Sequence, residues 1–83
     1  MTSSKKITVK FFALLREQAG CREVTFDTTA ATPAALYAEL MQTRGLMVPP
    51  GILTFAVNER YVSADTALAA GDRVVFIPPV AGG

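Results

Sequence analysis

Arg73-Val74-Val75-Phe76-Ile77-Pro78-Pro79-Val80-Ala81-Gly82-Gly83 is the stretch that decides the fold. Arg73 to Ile77 has the β-branched and aromatic content of a strand. It is the most apolar strand in the sequence, so a central place in a sheet is expected. Neither proline has an N–H to give to a ladder, so pairing is expected to stop at Pro78. Two consecutive prolines favour an extended path. At about 3.1 Å per residue, residues 78–83 reach roughly 19 Å. Gly82 and Gly83 carry no Cβ and little conformational restriction. The expected organisation is a domain over 1–77 and an extended tail over 78–83. A thin Gly-Gly tip suits a narrow channel in which a partner enzyme works on a terminal carboxylate. The alternative is a frayed terminus.

Working outward, 83 residues make one domain. A chain of this size buries roughly 60–65% of its extended surface, enough for one core. Hydrophobic residues make up 51%, which argues against disorder. Eight Lys+Arg against seven Asp+Glu give a net charge of +1. No basic block stands out beyond Lys5-Lys6, so nucleic acid is not an expected partner. The single Cys21 excludes an internal disulfide, and a lone thiol fits a reducing, cytoplasmic setting. Residues 1–6 are not followed by a signal-type apolar core, and no stretch approaches the ~20 apolar residues of a spanning helix. Neither export nor a membrane is expected. With no histidine and one cysteine, a zinc site or a Cys–His or Ser–His–Asp centre within this chain is excluded. Any catalysis must draw most of its active site from a partner.

From the N-terminus, Lys6 to Phe12 alternates, with Ile7, Val9 and Phe11 on one face. Phe12 is the anomaly, an aromatic on the face of Thr8 and Lys10. It either covers the start of the next helix or presents an apolar spot to a partner. Ala13 to Ala19 reads as a short helix stopped by Gly20. Cys21 falls in the following loop, with no base to activate it. Arg22 to Phe26 reads as a second strand, followed by a polar connection from Asp27 to Thr32. Thr32 as N-cap and Pro33 at N1 start a helix that runs to about Arg44 and stops at Gly45. Leu36, Leu40, Tyr37 and Met41 give it an apolar stripe that packs on a sheet. Leu46 to Gly51 reads as a loop and Ile52 to Val57 as a third strand. Asn58-Glu59-Arg60 turns the chain into a short fourth strand at Tyr61-Val62. Leu68 anchors a tight turn, and Gly71-Asp72 turns into the last strand.

One amphipathic helix and strands with one apolar face each predict a two-layer α+β domain, a mixed sheet with the helix across one face. If Val74 and Phe76 face the helix, Val75 and Ile77 face outward. Phe12, Tyr61 and Ile77 then share the outer face near the departure of the tail, either as one patch or as scattered surface residues.

Phe11-Phe12-Ala13, Arg16-Glu17, Gly20, Ala56-Val57-Asn58, Gly71-Asp72 and the Pro78-Pro79-Val80 and Gly82-Gly83 ending occur in order across nearly the whole chain. This pattern resembles the MoaD family, the small subunits of molybdopterin synthase. The resemblance implies a β-grasp, ubiquitin-like fold with about five strands. It implies a sulfur carrier for molybdenum cofactor biosynthesis that binds no cofactor itself. A MoeB-like activating enzyme would use ATP to adenylate Gly83. A persulfide donor would then convert it to a thiocarboxylate, with Gly82 threading the tail. The tail would enter a MoaE-like large subunit that holds the catalytic pocket, and sulfur would pass to cyclic pyranopterin monophosphate, also called precursor Z. The assembly implied is a heterotetramer. By the same resemblance, Phe12, Tyr61, Ile77, Pro78, Pro79, Val80 and Ala81 would bind partners. Tyr61 and Ile77 depart from the leucine and phenylalanine expected in a familiar bacterial member.

Three rivals share parts of this pattern. A thiazole-pathway carrier of the ThiS type shares the Gly-Gly end. A ubiquitin-like modifier also begins with an adenylate but ends in an isopeptide bond. A plain interaction module would not need Gly82-Gly83.

Overall fold

The computed structural model describes residues 4–79. The tail residues Val80, Ala81, Gly82 and Gly83 lie outside the described residues. The elements are β1 (Lys5–Phe11), α1 (Leu14–Ala19), β2 (Glu23–Thr28), α2 (Pro33–Arg44), a 3₁₀ turn (Pro50–Ile52), β3 (Thr54–Val57), β4 (Arg60–Val62) and β5 (Arg73–Ile77).

The strands form one mixed sheet in the order β2-β1-β5-β3-β4. The last strand takes the centre, as its apolar content predicts. It runs parallel to β1, with Val9 beside Val74 and Phe11 beside Phe76. It runs antiparallel to β3, with Phe55 beside Phe76 and Val57 beside Val74. Strict alternation buries Ile7, Val9, Phe11, Val74 and Phe76 on one face. With α2 laid across that face, Leu36, Tyr37 and Leu40 join the same core. Phe76 is its centre. Its ring meets Tyr37 edge-on at 5.0 Å and Phe55 at 5.6 Å.

The helix boundaries follow from their caps. The Thr32 side chain accepts a hydrogen bond from Ala35 N at 3.2 Å, and Pro33 opens α2. Gly45 closes it in the left-handed region at φ 71°. The β3–β4 hairpin turns on Asn58 and Glu59, both at positive φ, which matches the twist of two-residue hairpin loops.

Several boundaries differ from the sequence reading, among them the starts of β1 at Lys5 rather than Lys6, of β2 at Glu23 rather than Arg22 and of β4 at Arg60 rather than Tyr61. β1 ends at Phe11 rather than Phe12, and α1 starts at Leu14 rather than Ala13, because Ala13 adopts φ 50° and belongs to neither element. β2 continues to Thr28, since Asp27 and Thr28 pair with Lys6 and Lys5. The polar connection is correspondingly shorter, and Thr28 Oγ1 accepts from Ala30 N at 3.0 Å as the chain turns. β3 starts at Thr54 rather than Ile52, because residues 50–52 coil under the constraint of Pro49-Pro50.

Tyr37 donates its phenol proton to the Val48 carbonyl at 2.6 Å, and burial pushes its pKa above the ordinary 10.0. In the unfolded chain the phenol ionises first as pH passes about 10, so this share of stability is full below that pH and declines above it. Tyr37→Phe is therefore expected to cost about 1 kcal/mol near neutral pH, from the lost bond and the unpaired carbonyl. The gap between the two proteins should narrow above pH 10, measured by urea denaturation across the range.

Candidate partner-docking site

β5 carries Phe76 into the core and turns Ile77 to the other face, where it is half-buried. Pro78 and Pro79 follow directly, so the tail leaves from the middle of the sheet. Phe12 follows directly on the end of β1, one residue beyond the Phe11–Phe76 pair, which sets it beside Ile77. It is exposed. The Lys10 ammonium lies 5.3 Å from its ring centroid, a cation–π distance.

Ala13 makes this placement. Its φ of 50° and ψ of −124° reverse the chain, and Leu15 N donates to Phe12 O at 3.0 Å across the turn. Residues with a Cβ rarely adopt such a conformation, and the strain costs on the order of 1–3 kcal/mol. In α1, Leu15 is buried and its neighbour Leu14 is left half in solvent, because adjacent helical residues do not share a face.

The loop after α2 forms the opposite wall. Leu46 and Val48 are buried, whereas Met47 between them is 76% exposed. Met47 N donates to Gln18 Oε1 at 2.8 Å, which ties this loop to α1. The 3₁₀ turn then holds Ile52 outward. Together these residues line a groove of about 640 Å³ with Phe12, Ile77, Pro78 and Pro79 on its far side. Gln18 is its one polar side chain, and none of its lining residues is charged.

The structure thus brings Phe12, Ile77, Pro78 and Pro79 together. Tyr61 is elsewhere. It lies on β4, where it pairs with Ala56 of β3, with β3 and β5 between it and β1, and is 78% exposed without lining the groove. Leu14, Met47 and Ile52 were not singled out in the sequence. The available signals were the Leu14-Leu15 pair, only one of which can face a core, and a loop of unusually apolar content from Leu46 to Ile52. Cys21 is away from the groove, where Arg44 Nη1 donates to its sulfur at 3.7 Å. Among the described residues no helix is long and apolar enough to cross a membrane.

A family model described as the ThiS family matches residues 9–83. The chain belongs to the ThiS family. The family name is that of the thiazole-type rival, so individual members carry the finer distinction. A molybdopterin synthase sulfur carrier subunit of Escherichia coli is 39% identical over 80 residues, covering 93% of this chain and 99% of that protein. Among solved structures in the family's fold, the small archaeal modifier SAMP1 of Haloferax volcanii superposes with a TM-score of 0.79 at 27% identity, over 94% of this chain and 99% of its own. A complex of subunits 1 and 2 of the molybdopterin-converting factor of Helicobacter pylori includes a chain with a TM-score of 0.62 at 29% identity, over 94% of this chain and 99% of that one. These likenesses establish the ubiquitin-like β-grasp fold.

The contrast between exposed Phe12 and buried Phe76 is measurable as stability. Phe12→Asp is expected to cost about 1 kcal/mol or less. Phe76→Ala, which empties the centre of the core, is expected to cost about 3–5 kcal/mol. Thermal unfolding of the two variants checks this, and a large loss for Phe12→Asp would make it a core residue.

Proposed function

We propose that this chain is the sulfur carrier subunit of molybdopterin synthase, working in the cytoplasm. The observation that carries the reading is the near-full-length match at 39% identity to a carrier of that description. The groove at the tail root supports it, since a carrier must be gripped next to the residues it presents.

The chemistry follows from a carboxylate being a poor electrophile. The Gly83 carboxylate attacks the α-phosphorus of ATP on a MoeB-like activating enzyme, and pyrophosphate leaves. The resulting acyl adenylate is a mixed anhydride. The terminal sulfur of a persulfide donor displaces AMP at the carbonyl carbon. A thiol then cleaves the S–S bond, leaving as a disulfide and freeing the thiocarboxylate. Inside a MoaE-like large subunit, the thiocarboxylate sulfur displaces an oxygen substituent from a side-chain carbon of cyclic pyranopterin monophosphate, and water then cleaves the acyl–sulfur bond, leaving sulfur on the pterin and returning the Gly83 carboxylate. Two deliveries build the dithiolene. Attachment to the domain turns each delivery into a held encounter. Gly82 and Gly83 leave the tip of the thread free of Cβ atoms, and Val80 and Ala81 join it to the prolines. Phe12, Ile77, Pro78 and Pro79 grip the partners at the root, and Tyr61 extends the contact over the outer face. Catalytic groups come from the partners, and two carriers with two large subunits form the working assembly.

A second reading, a protein modifier, draws on the likeness to SAMP1. Both readings begin with the same adenylate and diverge at the nucleophile, sulfur in one and lysine in the other.

Intact mass with C-terminal fragmentation, on protein from cells that run the cofactor pathway, is expected to place one oxygen-for-sulfur exchange on Gly83. Lysine adducts in place of sulfur would move the assignment to the modifier. Deleting Gly83 should abolish loading and leave the thermal transition unchanged.

A further inference from the structure

We infer that β2 accepts an extended segment of a partner protein as a sixth strand, with apolar residues at the second and fourth positions of the segment and Lys or Arg at the first and fifth. None of the residues involved lines the groove at the tail root, so this site stands apart from the carrier reading. β2 is one of the two edges of the sheet. Phe11 N donates to Arg22 O at 2.9 Å, and the register from there turns every second residue of β2 toward β1. On β1, Thr8 N donates to Asp72 O and Lys6 O accepts from Gly71 N, so the residues opposite Thr25 and Asp27 face away from β2. The N–H and C=O groups of Glu23, Thr25 and Asp27 therefore point outward, with no strand beyond them among the described residues. Such a row is a template for strand addition.

The side chains set the pattern of the segment. On the α2 side, Val24 and Phe26 are only half-buried, since an edge strand has a neighbour on one side alone. A cavity of about 340 Å³ lies between β2 and α2, with Phe26 and Leu40 as its apolar lining. Its two charged residues are already engaged. Glu39 accepts from the Thr28 hydroxyl at 2.6 Å, and Arg44 donates to the Cys21 sulfur at 3.7 Å. Apolar side chains opposite Val24 and Phe26 would cover this surface.

On the other face Glu23 and Asp27 are exposed on either side of Thr25. Their ion pairs, to Arg73 at 3.7 Å and to Lys6 at 3.8 Å, lie in solvent and hold them weakly. Side chains opposite one another on adjacent strands share a face, so the first and fifth residues of the segment lie next to these carboxylates. The same charges turn away a second copy, because antiparallel pairing of two β2 strands about Thr25 sets Glu23 beside Asp27 twice. They favour a basic segment.

The test is an NMR titration of the full chain with two end-capped peptides, Lys-Val-Thr-Val-Lys and Glu-Val-Thr-Val-Glu, up to millimolar concentration. The basic peptide is expected to shift the amides of Glu23, Thr25 and Asp27 saturably, and to bind at least ten times more tightly than the acidic one. Glu23→Lys/Asp27→Lys should reverse that order. Thr25→Pro removes an outward N–H and no ladder bond to β1, at the cost of the exposed Thr8–Thr25 hydroxyl bond. It should weaken binding of the basic peptide at least tenfold with the β1–β2 ladder intact. If Thr25→Pro does not fold, the charge-reversed variant decides, because both of its residues are exposed. No saturable shift, or shifts confined to Phe12, Met47 and Ile52, overturns the proposal. Equal binding of the two peptides, or an unchanged order after charge reversal, overturns the basic pattern. A free chain that sediments as a dimer with the Glu23, Thr25 and Asp27 amides protected would give the edge to a second copy and overturn the proposal.

Discussion

The placement of β5 between β1 and β3 is the constraint on which the rest depends. Ladder bonds on both sides and the rings of Tyr37 and Phe55 around Phe76 hold this strand in the middle of the sheet. One residue later the chain must leave the sheet, because Pro78 and Pro79 cannot donate to it. A strand held from both sides thus abuts the point where the tail departs. A tail hung from an edge strand would inherit the fraying of that edge. One hung from the central strand starts from a fixed position.

The groove arises from the same economy. At each of its walls two neighbouring apolar residues split, one to the core and one to the surface. Phe11 and Phe12, Leu15 and Leu14, Val48 and Met47, and Phe76 and Ile77 all divide in this way. The strand pairs split because successive side chains point to opposite faces, and the helical pair because neighbours lie about a quarter-turn apart. The core residue of each pair fixes the height and direction of its exposed partner. The surface is therefore as well positioned as the core beneath it, and the Ala13 turn and the Gln18–Met47 bond align the walls with one another.

Much of this was legible in the sequence. Two-residue alternation predicted the inner face of β1 and β5, and Thr32, Pro33 and Gly45 marked the ends of α2. The tail motif pointed to Pro78 and Pro79, and the unusual aromatic pair pointed to Phe12. What escaped was set by contacts distant in sequence. Asp27 and Thr28 look like loop residues until Lys5 and Lys6 pair with them. Ile52 looks like a strand start until the preceding prolines coil it. Met47 and Leu14 are unremarkable singly and become a site only when Gln18 joins α1 to the loop after α2. Ala13 gave no sign of its positive φ, a conformation that local propensity assigns to glycine. Face alone groups Tyr61 with Phe12 and Ile77, and strand order sets it three strands away from β1.

Under the carrier reading, a chain without histidine, whose one cysteine lies away from the tail root, would contribute position and leave the reactive groups to its partners. Position has a definite energetic meaning here. Fixing the root of a short thread beside a docking groove removes much of the orientational search when partner and tail meet, and that freedom is a large part of the barrier to a bimolecular transfer. Pro78 and Pro79 add to this by restricting the backbone before any partner binds, so less entropy is lost on threading. Gly82 and Gly83 have no side chains, and on the same reading they would fit where side chains would not. On that reading, a fixed root and side-chain-free last residues would answer two different demands of one delivery, and the order of residues from Phe76 to Gly83 passes from the first to the second.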